Sequence, residues 1–600
     1  MATRNKYDVD ETLESPFNIK HFKRAAVYAK KHSKLMIAAL AASMVSALAA
    51  QVYPLILKYA FDVTIPNKSY SQLILLTVLL ILTILLSVAM ITIRAKIMAR
   101  VGQGIIYDMR KDLFDHLQEL PFSFYDSRPH GKILTRVIHY VNNVSDMLSN
   151  GVINFVLEIF NLIVIAIFMF AVDVKLSLVV AAGIPVFVTV IMIIKPAQRR
   201  VWQQVSNKGS NMNAYLQESL DGAKITQLFT REEQNAGIFD RLNMDYFRLW
   251  NKAQRISNCV WVTVDNVSTW VVSAMYIVGI LVMRPMASFG TIVAVSNYAW
   301  RFWQPLLNLS NLYNTFVNGI AYLERIFEMI DEPVDIKDAP DAYELPKIEG
   351  RVTFEDVTFA YEPPRNILEH VSFDVKPGES IALVGPTGAG KSTIVNLISR
   401  FYDLTGGRVL VDGHDISKVT LHSLRSQMGI MLQDSFIFSG TLLDNIKYAR
   451  QDATDEEVRQ ACRTVCADEF IQEMEKGYMT EVNERGSRLS QGQRQLISFA
   501  RTLLADPKIL ILDEATSSID AKTEKMVQTA LNALLKGSTS FIIAHRLSTI
   551  KNCDKIMYIS NKGISECGSH EELLAKKGDY YKLYTAQRTG QAETQESITN

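Results

Sequence analysis

Apolar residues are spread unevenly along this chain. Between positions 35 and 320 they gather into long runs, near 35–57, 72–93, 150–172, 176–195, 257–283 and 290–318. A helix needs about twenty mostly apolar residues to cross the hydrocarbon core of a bilayer, so these runs predict six long membrane helices. The last run is the most interrupted, by Asn297, Arg301, Gln304, Asn308 and Asn311. Buried helices of a large soluble protein are the competing reading. The lengths of the runs, and the short polar turns Asp173-Val174-Lys175 and Arg284-Pro285-Met286 between two pairs of them, favour the membrane. After position 330 charged and apolar residues mix, and short apolar runs such as Ser380–Val384 and Ile509–Leu512 predict buried strands of an α/β domain.

The other two connections, about 94–149 and 196–256, are long and carry most of the Lys and Arg of the first half. The positive-inside rule places both of them, and the N-terminus, in the cytosol. They are expected to be mostly helical, with breaks at Pro121 to Gly131 and around Gly209 to Gly222. Ile19, Phe22, Ala26 and Ala29 recur at helical spacing among Lys20, Lys23, Arg24, Lys30 and Lys31, the pattern of an interfacial amphipathic helix. The acidic N-terminus, with Asp8, Asp10, Glu11 and Glu14, reads as neither a cleavable signal nor a mitochondrial presequence. The expected divisions are an N-terminal segment at 1–34, a membrane domain at 35–320, a linker at 321–349, an α/β domain at 350–585 and a polar tail at 586–600.

Net charge is only +1, so there is no bulk electrostatic case for nucleic acid as a partner. The five cysteines contain no Cys-x-x-Cys pair, which suits a reducing compartment without a metal or disulfide framework.

Candidate chemistry is concentrated in the second half. Gly385-Pro386-Thr387-Gly388-Ala389-Gly390-Lys391-Ser392, followed by Thr393, lies between a strand-like and a helix-like run. In such a glycine-rich turn backbone N–H groups converge on phosphates, the lysine adds a point charge, and the serine hydroxyl is placed to hold Mg²⁺. The run Ile509–Leu512 delivers Asp513 and Glu514 at a strand end. Asp513 fits a Mg²⁺-side carboxylate, and Glu514 a base that polarises the attacking water. Phe541–Ala544 ends at His545, a candidate γ-phosphate contact. These groups together read as an ATPase.

The stretch Leu489-Ser490-Gln491-Gly492-Gln493 narrows the family. With it, residues 350–585 resemble the nucleotide-binding domain of an ABC transporter, and the resemblance extends over about 20–585. It implies that Tyr361 stacks on adenine, that Gln433 senses Mg²⁺ and water, and that Glu484-Arg485-Gly486 meets the membrane domain. It further implies that Asp520, in Ser518-Ile519-Asp520, reaches across to a partner's ATP. Phe124 to Gly131 resembles the first intracellular loop of ABC exporters, with its coupling helix. Two positions depart from the pattern. Gln491 replaces the central glycine of the signature, and Asn483 replaces a common glycine.

The resemblance implies half of a cell-membrane exporter, in which two nucleotide domains pair head to tail and each ATP lies between one phosphate loop and the other signature. Gln491 puts a long side chain where glycine would admit close backbone approach, which favours a heterodimer with a second half-transporter chain. A homodimer with a tolerated variant is the alternative. Amphiphilic drugs or lipids are the expected cargo. An ATP-gated regulator is a further reading, disfavoured by the intact Glu514 and His545. Intramembrane charges are candidates for the substrate path. Asp265 and Arg301, with Trp300 beside the latter, and Glu158 are the clearest, and structural pairing between segments is the alternative for each.

Overall fold

The computed structural model describes residues 19–128, 130–282, 287–362, 364–431, 436–483, 486, 488–513, 521–543 and 550–586. The chain forms two compact units. One holds residues up to Gln118 together with His130–Glu332, and the other holds Glu119–Pro129 with the chain from Pro333 onward. The expected first intracellular loop therefore clusters with the ATPase half.

The first unit is helical. An amphipathic helix α1 (Ile19–Lys31) precedes α2 (Ser33–Tyr59) and α3 (Tyr70–Glu119). In the second unit the loop carries a short helix, α4 (Phe122–Ser127). Back in the first unit follow α5 (His130–Thr135), α6 (Val141–Asp146), α7 (Val152–Val172), α8 (Val174–Ala182), α9 (Ile184–Asp221), α10 (Ala223–Leu228), α11 (Glu232–Ile277) and α12 (Phe289–Ile330). Among the described residues five helical stretches are long and apolar enough to cross a membrane. The sixth expected run is α12, helical throughout but below that apolar threshold, as its polar interruptions foreshadow.

The most apolar stretch of α3 has none of its residues buried within the chain. Leu75, Leu82, Leu85 and Val88 are all exposed around it. In water such a surface would drive aggregation; in lipid it costs nothing, and a helix satisfies its own backbone there. The turn at Asp173 is a single residue whose carboxylate accepts from Leu176 N–H at 2.9 Å and starts α8. The other expected short turn, Arg284-Pro285-Met286, lies outside the described residues. One expectation is corrected: α9 does not break at Gly209. A Cβ there would sit 3.3 Å from the Tyr246 ring of α11, so the glycine serves close helix packing rather than a turn, and the chain turns only at Gly222.

The second unit begins with an antiparallel sheet ordered β2-β1-β4-β5, where β1 is Val352–Phe359, β2 Leu368–Val375, β4 Gly406–Val411 and β5 His414–Asp415. Its second sheet is ordered β12-β11-β3-β10-β9-β6. Here β3 is Ser380–Val384, β6 Met428–Met431, β9 Ile509–Asp513, β10 Thr539–Ile543, β11 Lys555–Ser560 and β12 Gly563–Gly568. A two-residue ribbon pairs β7 (Gly440–Thr441) with β8 (Glu481–Val482). β3 and β10 are buried at every residue and pair in parallel, as strands covered on both faces must be.

Phe541 stands at the centre of this sheet, fully buried, with Phe373 6.5 Å away between ring centroids. Phe541→Ala should destabilise this unit by about 3–5 kcal/mol, the cost of an aromatic-sized cavity. A fall in its thermal unfolding midpoint, followed by scanning calorimetry, checks this.

Candidate functional site: a phosphate loop at a strand edge

β3 ends at Val384, and the loop Gly385–Gly390 leads into the helix α13 (Lys391–Ile398). Three glycines of this loop have positive φ, +144° at Gly385, +80° at Gly388 and +104° at Gly390. At Gly385 a Cβ would lie 2.2 Å from the Ile559 carbonyl oxygen, so a side chain there is excluded by backbone. At Gly388 nothing lies within 4 Å of that position, and Pro386, Thr387 and Gly388 form an exposed tip. Ala389 packs partly on the core, which pins the far side of the loop.

Lys391 is buried and curls back over the loop. Its Nζ donates to the Gly385 and Pro386 carbonyls at 2.8 and 2.9 Å. Burial lowers its pKa, against the opposing influence of the Asp513 carboxylate. Ser392 is exposed at the head of α13, whereas Thr393 beside it is buried. Tyr361 is half-exposed and reaches the same helix, its Oη 3.2 Å from Thr393 Oγ1.

β10 lies between β3 and β9 with Ile543 in register with Leu383 on one side and Asp513 on the other. Strands in a sheet are about 4.8 Å apart, so Asp513 stands about 10 Å along the edge from Leu383, level with the root of the loop. That is the carboxyl edge where parallel sheets bind ligands. An exposed serine hydroxyl and a strand-end carboxylate are the hard oxygen donors Mg²⁺ takes alongside phosphate. Among the described residues no cluster of three His, Cys, Asp or Glu forms an all-protein metal cage. Ser392 and Asp513 thus fit an ion held mainly by a nucleotide. Gln433, Glu514, Asp520 and His545 lie outside the described residues, as do Glu484 and Arg485.

The signature motif opens another helix, Gln491–Leu504. Ser490 caps it: its hydroxyl accepts from Gln493 N–H at 3.2 Å, and the Gln493 side chain accepts from Ser490 N–H at 2.9 Å. Gly492 is buried, while Ser490 and Gln491 face outward at a positive helix end suited to an anion. The long side chain of Gln491 therefore stands exposed at that helix end.

In the helical unit the charged candidates separate. Arg301 Nη1 donates to the Ala50 carbonyl at 2.6 Å and its guanidinium lies 5.5 Å from the Tyr53 ring. Pro54 lies four residues after Ala50 inside α2, and lacks the N–H that would otherwise occupy that carbonyl. Tyr298 Oη donates to the next carbonyl, of Gln51, at 2.6 Å. Arg301 thus satisfies a backbone group freed by proline, which favours its structural reading. Glu158 likewise accepts from Asn308 at 2.7 Å. Asp265 stands on an exposed face of α11, and Trp300 is also exposed. No hydrogen bond or ion pair among the described residues joins Asp265 to Arg301. Tyr402, which packs its ring against Tyr361 at 4.9 Å between centroids, was not legible as a site residue, because it follows α13 in sequence with no motif of its own.

The description "ABC transporter transmembrane region" matches residues 36–306 and "ABC transporter" matches residues 368–517. The chain is 41% identical over 585 residues to the ABC transporter ATP-binding protein YknV of Bacillus subtilis (strain 168), covering 97% of each. It is 34% identical over 567 residues to the ATP-dependent lipid A-core flippase of Syntrophus aciditrophicus (strain SB), covering 94% of each. Among solved structures it resembles a bacterial Atm1-family ABC exporter with ATP bound, with a TM-score of 0.74, 28% identity, and coverage of 95% of this chain and 98% of that one. A phosphate loop and strand-end aspartate on one sheet edge, a capped signature helix and a bilayer-crossing helical unit in the same chain have one common explanation: this protein belongs to the ABC exporter family, as a membrane domain fused to an ATP-hydrolysing domain.

Proposed function

We propose that this chain is one half of a dimeric exporter that moves amphiphilic molecules, drugs or lipids, across the cell membrane, with the ATPase unit and N-terminus in the cytosol. The observation that carries this reading is the alignment of the phosphate loop with Asp513 at one strand edge, in a chain whose α3 holds a stretch of bilayer-crossing hydropathy with no residue buried. The similarity to a lipid A-core flippase supports the lipid side of that cargo class.

Each residue has a defined task. The loop from Gly385 to Gly390 presents N–H groups to the phosphates. Lys391 exchanges its two carbonyl acceptors for phosphate oxygens, and the added negative charge offsets the burial that weakens its proton. Mg²⁺, held by Ser392 and Asp513 and sensed by Gln433, would neutralise charge on the transferred phosphoryl group. Tyr361 stacks on adenine, Glu514 polarises the attacking water, and His545 contacts the γ-phosphate. Ser490, Gln491, Gly492, Gln493 and Asp520 face the partner's nucleotide. ATP closes the paired ATPase units because it binds the closed state more tightly, and that difference is what moves the membrane helices.

Gln491 favours a partner of different sequence. A glutamine at the first helical position keeps the backbone of this signature from the close approach that glycine allows, so the site formed with the partner's phosphate loop is the atypical one. The site built on this chain's own phosphate loop then carries most of the turnover. Asp265, on its exposed face of α11, is the better of the intramembrane candidates for cargo contact.

Gly385→Ala should weaken ATP binding by about tenfold or more, because displacing the loop forfeits at least one hydrogen bond to a charged phosphate; titration with a fluorescent ATP analogue measures this. Glu514→Gln should leave ATP affinity near wild type while slowing hydrolysis by about a hundredfold, the scale of general-base loss. In the complex purified from its native membrane a second homologous chain should co-isolate, and Glu514→Gln here should nearly abolish turnover. ATP-driven transport at full rate by this chain reconstituted alone refutes the heterodimer. Asp265→Asn should lower uptake of a lipophilic cationic dye into inverted vesicles by about threefold, the scale of one part-solvated ion contact, with basal ATPase activity retained. Equal loss for a neutral dye would make Asp265 structural.

A further inference from the structure

Phe122 and Asp126 of α4 both rest on the two residues that follow the end of the α13 segment by a short turn. Phe122 stacks on Phe401 with ring centroids 5.3 Å apart and planes at 25°. Tyr402 Oη donates to Asp126 Oδ2 at 3.0 Å. The Tyr402 ring meets Tyr361 at 88° and 4.9 Å between centroids, and Phe359 at 5.8 Å. Tyr361 in turn contacts Thr393 on α13. A line of direct contacts therefore runs from the helix behind the phosphate loop, through Tyr361 and Tyr402, to the intracellular-loop helix, all within one compact unit.

The middle of this line is held firmly. Arg400 is buried and donates to the carbonyls of Ile416 and Lys337 at 3.3 and 3.1 Å. Arg425 lies over the Phe401 ring at 5.0 Å and donates to the Arg400 carbonyl at 2.8 Å. The backbone bearing Tyr402 is thus anchored on both sides. Burial and the Asp126 carboxylate both raise the Tyr402 pKa, so its phenol keeps the proton it donates. Tyr361, by contrast, is 44% exposed, which leaves part of its ring open to a ligand. A flat ring placed against Tyr361 would fix the edge that Tyr402 packs on, and edge-to-face packing depends on that orientation.

We propose that Tyr402 is a positioning residue that joins the Tyr361 platform to α4, so that a purine seated on Tyr361 orders the loop helix through the Tyr402–Asp126 hydrogen bond. The proposal rests on the reading of Tyr361 as the adenine platform. It assigns no chemical step to Tyr402.

The test uses the full-length transporter in lipid nanodiscs, together with any chain that co-purifies. The unburied cysteines Cys259, Cys466 and Cys567 are replaced by serine, and a nitroxide is attached at Ser123→Cys on the exposed side of α4. Adding a non-hydrolysable ATP analogue should reduce the mobility of the label. Tyr402→Phe keeps the ring contacts and removes only the hydroxyl; it should hold nucleotide affinity within about twofold, since no nucleotide contact is lost, yet lose most of the mobility change. Asp126→Ala should behave the same way, and Asp126→Asn, which still accepts a hydrogen bond, should retain the response. The double variant Tyr402→Phe/Asp126→Ala should be no worse than either single change, as expected of two partners in one bond. A full response in Tyr402→Phe overturns the proposal, as does loss of nucleotide affinity by more than about tenfold, which would mark Tyr402 as a binding residue instead. Should Tyr361→Ala bind ATP as the wild type does, the platform reading falls and the proposal with it. Should Tyr361→Ala lose affinity while Tyr402→Phe responds in full, only the proposal falls.

Discussion

Ile543 is in register with Leu383 on one side and Asp513 on the other, and the nucleotide site follows from that pairing. The three strands are parallel and almost wholly covered, so a shift of one residue would turn buried side chains to the wrong face. The register therefore cannot drift, and the level at which the phosphate loop leaves β3 is tied to the level at which Asp513 leaves β9. Positive-φ glycines then let the loop curl without strain, with Gly385 close enough to Ile559 to exclude any side chain. Lys391 closes the arrangement by bonding the loop's own carbonyls, which keeps a buried ammonium satisfied.

The helical unit obeys a different constraint. In lipid a helix must satisfy its own backbone, and proline is where that fails. Pro54 releases the Ala50 carbonyl in α2, and Arg301, one of the polar interruptions of α12, bonds it. The residues that make α12 the least apolar of the expected spans are thus partly explained by a defect in its neighbour. The same logic assigns Glu158 to Asn308. Asp265 remains on an exposed face, in contrast to the charges absorbed by helix packing.

Much of this protein was legible from residue order. Apolar runs of bilayer length, the glycine-lysine-serine loop, the strand ending in Asp513 and the Ser490 cap with Gln493 three residues on are local patterns, because each depends on neighbours within a few positions. The amphipathic α1 and the polar breaks of α12 are local in the same sense. The pattern misled at Gly209, where a glycine reads as a break but instead admits Tyr246 from a helix distant in sequence. Pairing of charges was also opaque, since nothing around Arg301 announces a proline some 250 residues earlier in the chain.

By itself the sequence determined the two-part architecture, the family and the candidate phosphate-binding groups, because periodicity and short motifs are properties of contiguous chain. Tertiary structure alone decided which strands lie side by side, how Lys391 is held, which carbonyl Arg301 bonds and where the loop 119–129 belongs. Tyr402 is the sharpest instance. Its neighbours Tyr361 and Asp126 lie 41 and 276 positions away, by subtraction of residue numbers, and a contact across such separations is set by the packing of whole elements and leaves no trace in local order.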